Sequence, residues 1–523
     1  MSRKLHVLVA GAALLLAPAV HAQTLTIASA SPVTSMDPHF HNLGPNNAMM
    51  MHVFDSLVER DARARPRPSL AVSWRAVNDR LWEFRLREGV TWHDGRPFTA
   101  EDVAFSFARV PNVPNSPGGF QGFLRAIERV EVVDAHTIRL HTRQPHPLMP
   151  LDIASISIVA RHAAEGAATE DFNSGRAAVG TGPYRLVSYR LGDRTELERN
   201  PAFFGGAEPW ARVSYRIITN DGARTAALLA GDVDLIEQVP TADLPRLRRD
   251  QRVTVSTIAS LRTVYLVPDY GRDGNDPQVT DHAGNPLPAN PFRDVRVRRA
   301  LSMAINRQAL ADQVMEGAAT PTAQWLPEGA FGFDRTVRPR AYDPEGARRL
   351  LAEAGYPEGF RVTLTGPNDR WPNDGRITQA VAQMWTRVGV RTQVQAFPWT
   401  AFVPRRMRYE FAVQLAAWGS ATGEASSFLA NVVATRDRAR LTGANNNARF
   451  SDPVFDELLL RASATMDDER REAMWHEAVA RYVETEPYIQ LIQYVNTWAV
   501  RRGFTHDPRM DERTIAMGVR RAQ

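Results

Sequence analysis

LWEFRLREGVTWHDGRPFTAEDV, at residues 81–103, has the most informative residue pattern of this sequence. Apolar and charged residues alternate over residues 82–86, which is typical of a strand with one buried face. Asp94-Gly95 is a turn signal, so we interpret the motif His93-Asp94-Gly95 as structural. Thr99, followed three residues later by Asp102, predicts the N-terminus of a helix. The stretch therefore predicts a strand, a turn and a capped helix in succession.

Residues 1–22 have the pattern of an export signal. Arg3 and Lys4 precede an apolar run from Leu5 to Val20, and Val20-His21-Ala22 offers a cleavage site. The run is short for a membrane anchor, which leaves an uncleaved anchor as the lesser alternative. The chain contains no cysteine, so lipid attachment after the signal, disulfides and thiolate metal sites are excluded. We expect a periplasmic protein.

Positive charge in the chain comes almost entirely from arginine. Lys4 is the sole lysine, so a Walker A lysine or a Schiff-base lysine is excluded from the exported part. The net charge is +5, but the arginines are spread along the sequence, with only short clusters at residues 246–249 and 296–299. Such clusters are typical of solvated helix faces, so we expect no nucleic-acid partner.

The second half of the chain alternates strands and helices. We predict strands at residues 361–365, 390–395 and 411–416, and a helix whose apolar stripe ends before Gly389. This order favours an α/β domain with crossover connections. In the first half, a helix is predicted through Met49, Met50 and Val53 to Leu57. Residues 269–290 are rich in Asp, Gly, Asn and Pro and are predicted to form a long loop.

The sequence contains partial matches to catalytic and metal-binding motifs, but their residues do not have the spacing that those motifs require. His476-Glu477 lacks the second histidine of a zinc peptidase, and Ser420 sits one position early for a nucleophile elbow. The Asp-rich loop lacks the spacing of an EF-hand, so calcium is a minor alternative there. His39 and His41 have no third ligand in sequence. We predict no catalytic residue, no metal and no cofactor.

Several motifs resemble the family 5 extracellular solute-binding proteins, the dipeptide, oligopeptide and nickel receptors of bacterial ABC importers. Besides residues 84–107, the resemblance rests on VGTGPYRLVSY at 179–189, LERNPAFF at 197–204, AALLAGDVDLI at 226–236, PFRDVRVRRALSMAINRQAL at 291–310 and YDPEGARRLLAEAGYPEGF at 342–360. It implies an α/β, two-lobed periplasmic binding protein fold of class II type, with an extra subdomain in lobe I.

The same resemblance implies how the chain is divided. The chain is expected to cross between the lobes near Pro268 and near Tyr488. The implied segments are the signal peptide 1–22, lobe I at 23–60, the extra subdomain at 61–175, lobe I again at 176–268, lobe II at 269–488, and a return to lobe I at 489–523.

Four ligand-binding residues are implied by analogy with the family. Arg370 lies in the loop where relatives bind a ligand carboxylate, and Trp418 and Tyr265 match aromatic positions of the cleft. Peptide receptors carry an aspartate a few residues after the tryptophan, where this chain has Ala421. Glu424 is the nearest acidic residue and the candidate substitute. A free amino group on the ligand therefore becomes less important than its carboxylate.

The implied function is a periplasmic receptor that closes around a small-molecule or short peptide ligand and delivers it to an inner-membrane ABC permease. The implied state is a monomer. The run from Ser31 to His39 resembles the edge of the cleft in lobe I. An opine, a sugar or a nickel chelate is the alternative ligand, and a secreted hydrolase is the alternative of another class.

Overall fold

The protein is described by a computed structural model over residues 23–522, so the predicted signal segment lies outside the described residues. One large sheet runs through most of the molecule. The order of its hydrogen-bonded strands is Val279–Thr280, Phe360–Pro367, Val413–Gly419, Val253–Pro268, Ile489–Arg501, Leu235–Glu237, Thr24–Ser29, Arg212–Ile217, Arg194–Arg199 and Tyr184–Arg190. Val390–Phe397 pairs with Phe360–Pro367, and Ala319–Pro321 pairs with Ile489–Arg501.

The remaining strands and the helices surround this sheet. The other strands are Val58–Arg60, Pro66–Pro68, Ala71–Asn78, Leu81–Leu86, Ile127–Asp134, Thr137–Thr142, Phe504–His506 and Val519–Arg521. The α-helices are Gly44–Val53, Ala100–Arg109, Gln121–Leu124, Met149–Ile153, Arg161–Ala164, Thr169–Asn173, Asp221–Ala230, Leu244–Leu247, Val295–Met303, Arg307–Ala309, Pro344–Glu353, Asp374–Arg387, Trp399–Met407, Ser426–Phe428, Pro453–Ser463 and Asp468–Thr485. Within residues 23–522, no helix combines the length and the apolar character needed to cross a membrane.

Two long antiparallel strands, Val253–Pro268 and Ile489–Arg501, connect the two lobes. Their pairing is regular up to Ala259 opposite Val495, breaks over residues 260–262, and resumes at Thr263 opposite Gln493. Before the break Ile489–Arg501 also pairs with Leu235–Glu237 of the first lobe, whereas after it Val253–Pro268 pairs with Val413–Gly419 of the second. The strands therefore change partners at the break.

The predicted crossing positions lie some way from this break. Pro268 is the last residue of its strand, and Tyr488 immediately precedes the other strand, so both lie on the side of the second lobe. Residues 260–262 are the better candidate for a hinge, because a register break leaves fewer ladder hydrogen bonds to deform. The exact domain boundaries stay a prediction.

The stretch at 81–103 folds as predicted. Leu81–Leu86 is a central strand of a four-stranded antiparallel sheet, and Thr99 and Asp102 form a capping box at the helix Ala100–Arg109. His93 follows the strand and clamps a distant segment: its Nδ1 accepts the Gly180 N–H at 3.2 Å and its Nε2 bonds the Gly182 carbonyl at 3.0 Å. The motif around His93 thus has a structural role.

The first helix is shorter than predicted. It spans Gly44–Val53 and does not reach Leu57, because Phe54 already has an extended backbone and its N–H closes the last turn on Met50. Phe54 and Leu57 are nevertheless buried, each in a different apolar cluster. The apolar pattern predicted burial correctly but could not show that the chain leaves the helix to reach two separate cores.

The second lobe has the predicted α/β crossovers. Phe360–Pro367 pairs in parallel with both Val390–Phe397 and Val413–Gly419, and the helix Asp374–Arg387 packs on Phe360–Pro367 and Val390–Phe397. Side chains alternate between the two faces of this sheet, as period two requires. Val264 and Leu266 enter one apolar core, whereas Tyr265 and Val267 face the other. The second face is the one that carries the candidate site.

Candidate ligand-binding site

A cavity of about 250 Å³ opens on the second lobe beside the paired strands Val253–Pro268 and Val413–Gly419. It is lined by Arg262, Tyr265, Val267, Arg370, Trp371, Trp399, Arg406, Ala416, Ala417, Trp418, Gly419, Asn445 and Asn447. Three of the four residues proposed from sequence, Arg370, Trp418 and Tyr265, therefore meet at one place. Glu424 does not line this cavity.

The loop after the strand Phe360–Pro367 positions Arg370. Both oxygens of Asp374 are used within this loop: Oδ2 accepts the backbone N–H groups of Arg370 and Trp371, each at 3.0 Å, and Oδ1 accepts that of Gly375 at 2.8 Å. Burial raises the pKa of Asp374, although these backbone hydrogen bonds favour its ionised form. Asp374 is thus a positioning residue for Arg370 and Trp371.

Two further contacts fix the loop. The Asp369 carboxylate accepts the Trp399 N–H at 2.7 Å, which ties the loop to the start of the helix Trp399–Met407. Asn373 has a positive φ of 57° and donates from Nδ2 to Thr241 Oγ1 at 2.8 Å. Because Thr241 belongs to the first lobe and Asn373 to the second, the loop that carries Arg370 also contacts the facing lobe.

The Arg370 guanidinium is not engaged by an acidic side chain. It lies over the Trp399 ring, with Cζ 5.2 Å from the ring centroid, and it makes no hydrogen bond or ion pair with other residues in the described part of the chain. Partial burial, together with the charge of Arg262, lowers its pKa. Arginine stays charged despite such a shift, so a positive group is held ready for an anion.

Trp418 and Tyr265 provide the aromatic wall. Trp418 is opposite Thr263 and Tyr265 is opposite Ala416 in the pairing of the two strands. Trp418 is partly exposed, and its Nε1 donates to Ser427 Oγ at 3.3 Å. Tyr265 is 4% exposed and packs edge-on against the Phe428 ring at 5.2 Å. Tyr265 therefore has both a cavity-lining and a core-packing role.

The segment after Trp418 turns away from the cavity. Glu424 is 1% exposed, and its carboxylate accepts hydrogen bonds from Ser426 Oγ at 2.7 Å and from Trp475 Nε1 at 2.8 Å. Burial raises the pKa of Glu424. Ala421 is exposed and supplies no charge. In this arrangement Glu424 is a buried structural acid, and its proposed role as an amine-binding substitute gains no support from geometry.

Among the charged and aromatic residues that line the cavity, sequence reasoning missed four: Arg262, Trp371, Trp399 and Arg406. Arg262 forms a double hydrogen bond with Glu512, at 2.9 and 3.0 Å. Arg406 is half-buried, and its Cζ lies 5.5 Å from the centroid of the Trp399 ring. In a chain so rich in arginine, neither Arg262 nor Arg406 stands out in the sequence. Trp371 could have been found as the neighbour of Arg370.

The charged groups of the cavity are all positive. Of the described residues that line it, three are arginines and none is acidic. Glu512 neutralises Arg262, so Arg370 and Arg406 remain as uncompensated charges. Guanidinium groups flanking a tryptophan suit a ligand that presents a carboxylate or another planar anion next to an apolar surface. The cavity can therefore bind an anionic group without any reactive residue.

The other residues considered as metal ligands from the sequence are paired with protein groups. In the Asp-rich loop, Asp269 pairs with Arg449 at 2.7 Å and with Arg272 at 3.1 Å. His39 lies buried in the first lobe, where Nε2 bonds the Ser157 carbonyl at 2.8 Å. Over residues 23–522, no cluster of three or more His, Asp or Glu side chains is arranged to hold a metal ion.

The comparisons with known proteins agree with this fold. The model of the bacterial extracellular solute-binding proteins, family 5, matches residues 65–439. The chain is 29% identical over 480 residues to heme-binding protein A of Haemophilus influenzae, covering 86% of this chain and 83% of the relative. It is 26% identical over 529 residues to the dipeptide-binding protein of Escherichia coli, covering 95% and 94%.

A solved structure extends the match to the fold. HbpA2 from Haemophilus parasuis superposes with a TM-score of 0.81 at 24% identity, covering 96% of this chain and 100% of that one. The two-lobed architecture is therefore shared along the whole described chain. On the family match, this chain belongs to family 5 of the bacterial extracellular solute-binding proteins.

Proposed function

We propose that this protein is the periplasmic receptor of an ABC importer, and that it captures a peptide or peptide-like solute and delivers it to the membrane permease. The observation that carries the proposal is the cavity in which Arg370 stands unpaired beside Trp399 and Trp418. A receptor needs such a cleft with a few placed polar groups and a hinge, but no nucleophile or general base.

A terminal carboxylate is the ligand group that this cavity suits best. A guanidinium can form two parallel hydrogen bonds with a carboxylate, and the tryptophans offer flat apolar surfaces for the remainder of the ligand. A neutral sugar would leave the charge of Arg370 without a counterion, and a cationic chelate would be repelled. Relatives named for dipeptide, murein peptide and glutathione binding support the peptide class.

The decisive experiment is a binding screen with the chain from residue 23 onward. Dipeptides such as Ala-Ala, an opine, an oligosaccharide, a nickel–histidine chelate and haem are each added in thermal-shift and calorimetric titrations. We expect a peptide to raise the melting temperature, because a ligand that binds the folded state stabilises it by mass action. The peptide should be recovered intact, since no hydrolysis is proposed.

Small-angle scattering tests the hinge. We expect the radius of gyration to decrease when the peptide found in the screen saturates the protein, because the lobes close around the ligand. Binding without any decrease would contradict hinge closure. Binding of an opine, sugar, chelate or haem in place of peptides would contradict the peptide class. Conversion of the added compound into product would favour the hydrolase alternative.

A further inference from the structure

Arg406 brings a second uncompensated positive charge into the cavity. It lies on the helix Trp399–Met407 and lines the cavity beside Trp399. Its Nε is buried and has no hydrogen-bond partner among the described residues, and no ion pair involves its guanidinium there. A buried donor without an acceptor is destabilising, and more so when the group is charged. Such a group calls for an acceptor that the chain itself does not supply.

Trp371 adds a second unmet donor to the same cavity. Its Nε1 is also buried without a partner among the described residues, and its ring packs edge-on against Trp399 with centroids 5.3 Å apart. Trp371 and Arg406 thus both contact Trp399. Both need an oxygen acceptor, and neither can obtain one from an acidic side chain of the cavity lining.

Arg370 and Arg406 are close enough for a single ligand to reach both. Their Cζ atoms lie 5.2 and 5.5 Å from the centroid of the same Trp399 ring. The two guanidinium groups therefore cannot be farther apart than the sum of these distances. That span is within reach of the two acidic groups of a dicarboxylic amino acid or a short acidic peptide.

Arg405 is next to Arg406 on the same helix and has a structural role. Arg405 stacks on Phe397 with Cζ 4.5 Å from the ring centroid, and its Nε donates to Glu410 at 2.7 Å. Arg405 does not line the cavity. Arg405 has an acidic partner outside the cavity, whereas Arg406 lines the cavity and has none among the described residues. The absence of a partner for Arg406 therefore follows from its position in the cavity.

We infer that the cavity selects ligands with two acidic groups, the first bound by Arg370 and the second by Arg406 together with the Trp371 Nε1–H. The peptide character of the ligand rests on the proposed function, whereas the requirement for a second acidic group does not. A dipeptide that ends in glutamate or aspartate has the required pair, since its terminal carboxylate and its side-chain carboxylate are separated by only a few bonds.

The test compares Ala-Glu with Ala-Gln, which differ by one carboxylate and have nearly the same shape. Calorimetry should show that the wild-type protein binds Ala-Glu about tenfold more tightly, as a charge-assisted hydrogen bond allows. Arg406→Gln should bring the two affinities together. Arg405→Gln, the matched control, should keep the preference. Trp371→Phe, which removes only the indole donor and leaves an aromatic ring, should reduce it in part.

A pair of compounds that are not peptides separates this inference from the proposed function. Glutarate should raise the melting temperature more than glutaramate does, and Arg406→Gln should abolish the difference. If neither dipeptide binds but glutarate keeps its Arg406-dependent advantage, the peptide proposal fails and the selection for two acidic groups stands. Equal affinity for Ala-Glu and Ala-Gln in the wild type, or an equal preference in Arg406→Gln, would overturn the inference. Failure of all four compounds would overturn both proposals.

Discussion

A buried arginine of the first lobe and the two arginines of the cavity differ in whether the guanidinium has an acidic partner. In the first lobe, Arg109 donates to both oxygens of Asp37, at 2.8 and 2.6 Å, and to the His39 ring nitrogen at 3.1 Å. Thr169 Oγ1 also donates to the Asp37 carboxylate, at 3.1 Å. In the cavity of the second lobe, the guanidinium groups of Arg370 and Arg406 make no such contacts with the described residues.

The presence of an acidic partner distinguishes an arginine that stabilises the fold from one that is available to bind a ligand. Burial alone would raise the pKa of Asp37, but the hydrogen bonds and charge of Arg109 hold it below its usual value, so the pair is ionised and satisfied internally. The cavity arginines instead retain their capacity for an external anion. In a chain whose cations are nearly all arginine, the presence or absence of an acidic partner distinguishes the two roles.

The largest effect is expected in the first lobe. Asp37→Ala should destabilise the protein by about 3–5 kcal/mol, because it leaves the buried charge of Arg109 without its partner. Urea unfolding measures the change. The double variant Asp37→Ala/Arg109→Met should recover part of the loss, since it removes the stranded charge. The exposed pair Arg161–Glu165 provides the control, and Arg161→Ala should change stability by about 0.5 kcal/mol or less. A double variant as unstable as Asp37→Ala would contradict this account of the pair.

An intermediate effect is expected in the cavity, and on binding. Arg370→Ala should weaken the binding of a carboxylate ligand by about 1.5–3 kcal/mol, a tenfold to roughly hundredfold loss. Folding stability should change little, because the guanidinium makes no hydrogen bond or ion pair with the described residues and contacts only the Trp399 ring. Calorimetry with the bound peptide measures the first quantity, and urea unfolding the second. Arg376→Ala, an exposed arginine on the following helix outside the cavity lining, is the control and should bind normally.

Capping the α-amine of the peptide should cost much less than Arg370→Ala, since Ala421 offers no charge to an amine. The account of the cavity would be contradicted if Arg370→Ala left the affinity unchanged while capping the amine abolished binding. Glu424 would then be the residue to test as the partner of the ligand amine.

A third effect concerns the pH dependence of folding stability. Burial lowers the pKa of His93 to about 4, and the unfolded value is about 6.5. A neutral buried histidine stabilises the fold above pH 6.5, and this contribution is lost as pH falls toward 4, by about 1.4 kcal/mol per pH unit. Urea unfolding at pH 7, 6 and 5 should give a shallower pH dependence for His93→Gln than for the wild type.

Ligand affinity should behave differently over the same pH range. The cavity guanidinium groups do not titrate near neutral pH, and a terminal carboxylate is ionised well above its pKa. Affinity for a peptide should therefore be nearly flat between pH 6 and 8, while stability already begins to fall at the lower end. A steep pH dependence of binding would contradict this expectation. It would mean that a group titrating near neutral pH, which the cavity lining does not supply, contacts the ligand.

Local signals explain why much of the fold could be predicted from the sequence. The capping box of Thr99 and Asp102 and the turn at Asp94-Gly95, where Gly95 has a φ of 89°, act within a few residues of their own position. Their effect does not depend on the rest of the molecule. The end of the first helix was missed because the burial of Leu57 depends on an apolar cluster assembled from distant segments.

The site was only partly predictable for the same reason. Resemblance to a family identified Arg370, Trp418 and Tyr265, which stand in recognisable motifs. The distinguishing property of Arg406 and Trp371 is that no neighbour satisfies them, and this appears only when every surrounding side chain is placed. Glu424 is the converse case, since its proximity to Trp418 in sequence could not show that it turns toward Trp475.

The shared pair of long strands has a consequence for how the protein is made. The first-lobe strand Leu235–Glu237 pairs with Ile489–Arg501, which is synthesised some 250 residues later. The sheet of the first lobe therefore stays incomplete until residues 489–501 have been synthesised. Long-range pairing of this kind is slow to form. The receptor should consequently complete its assembly only near the end of chain synthesis, when the late strand pairs with its early partner and joins the two lobes.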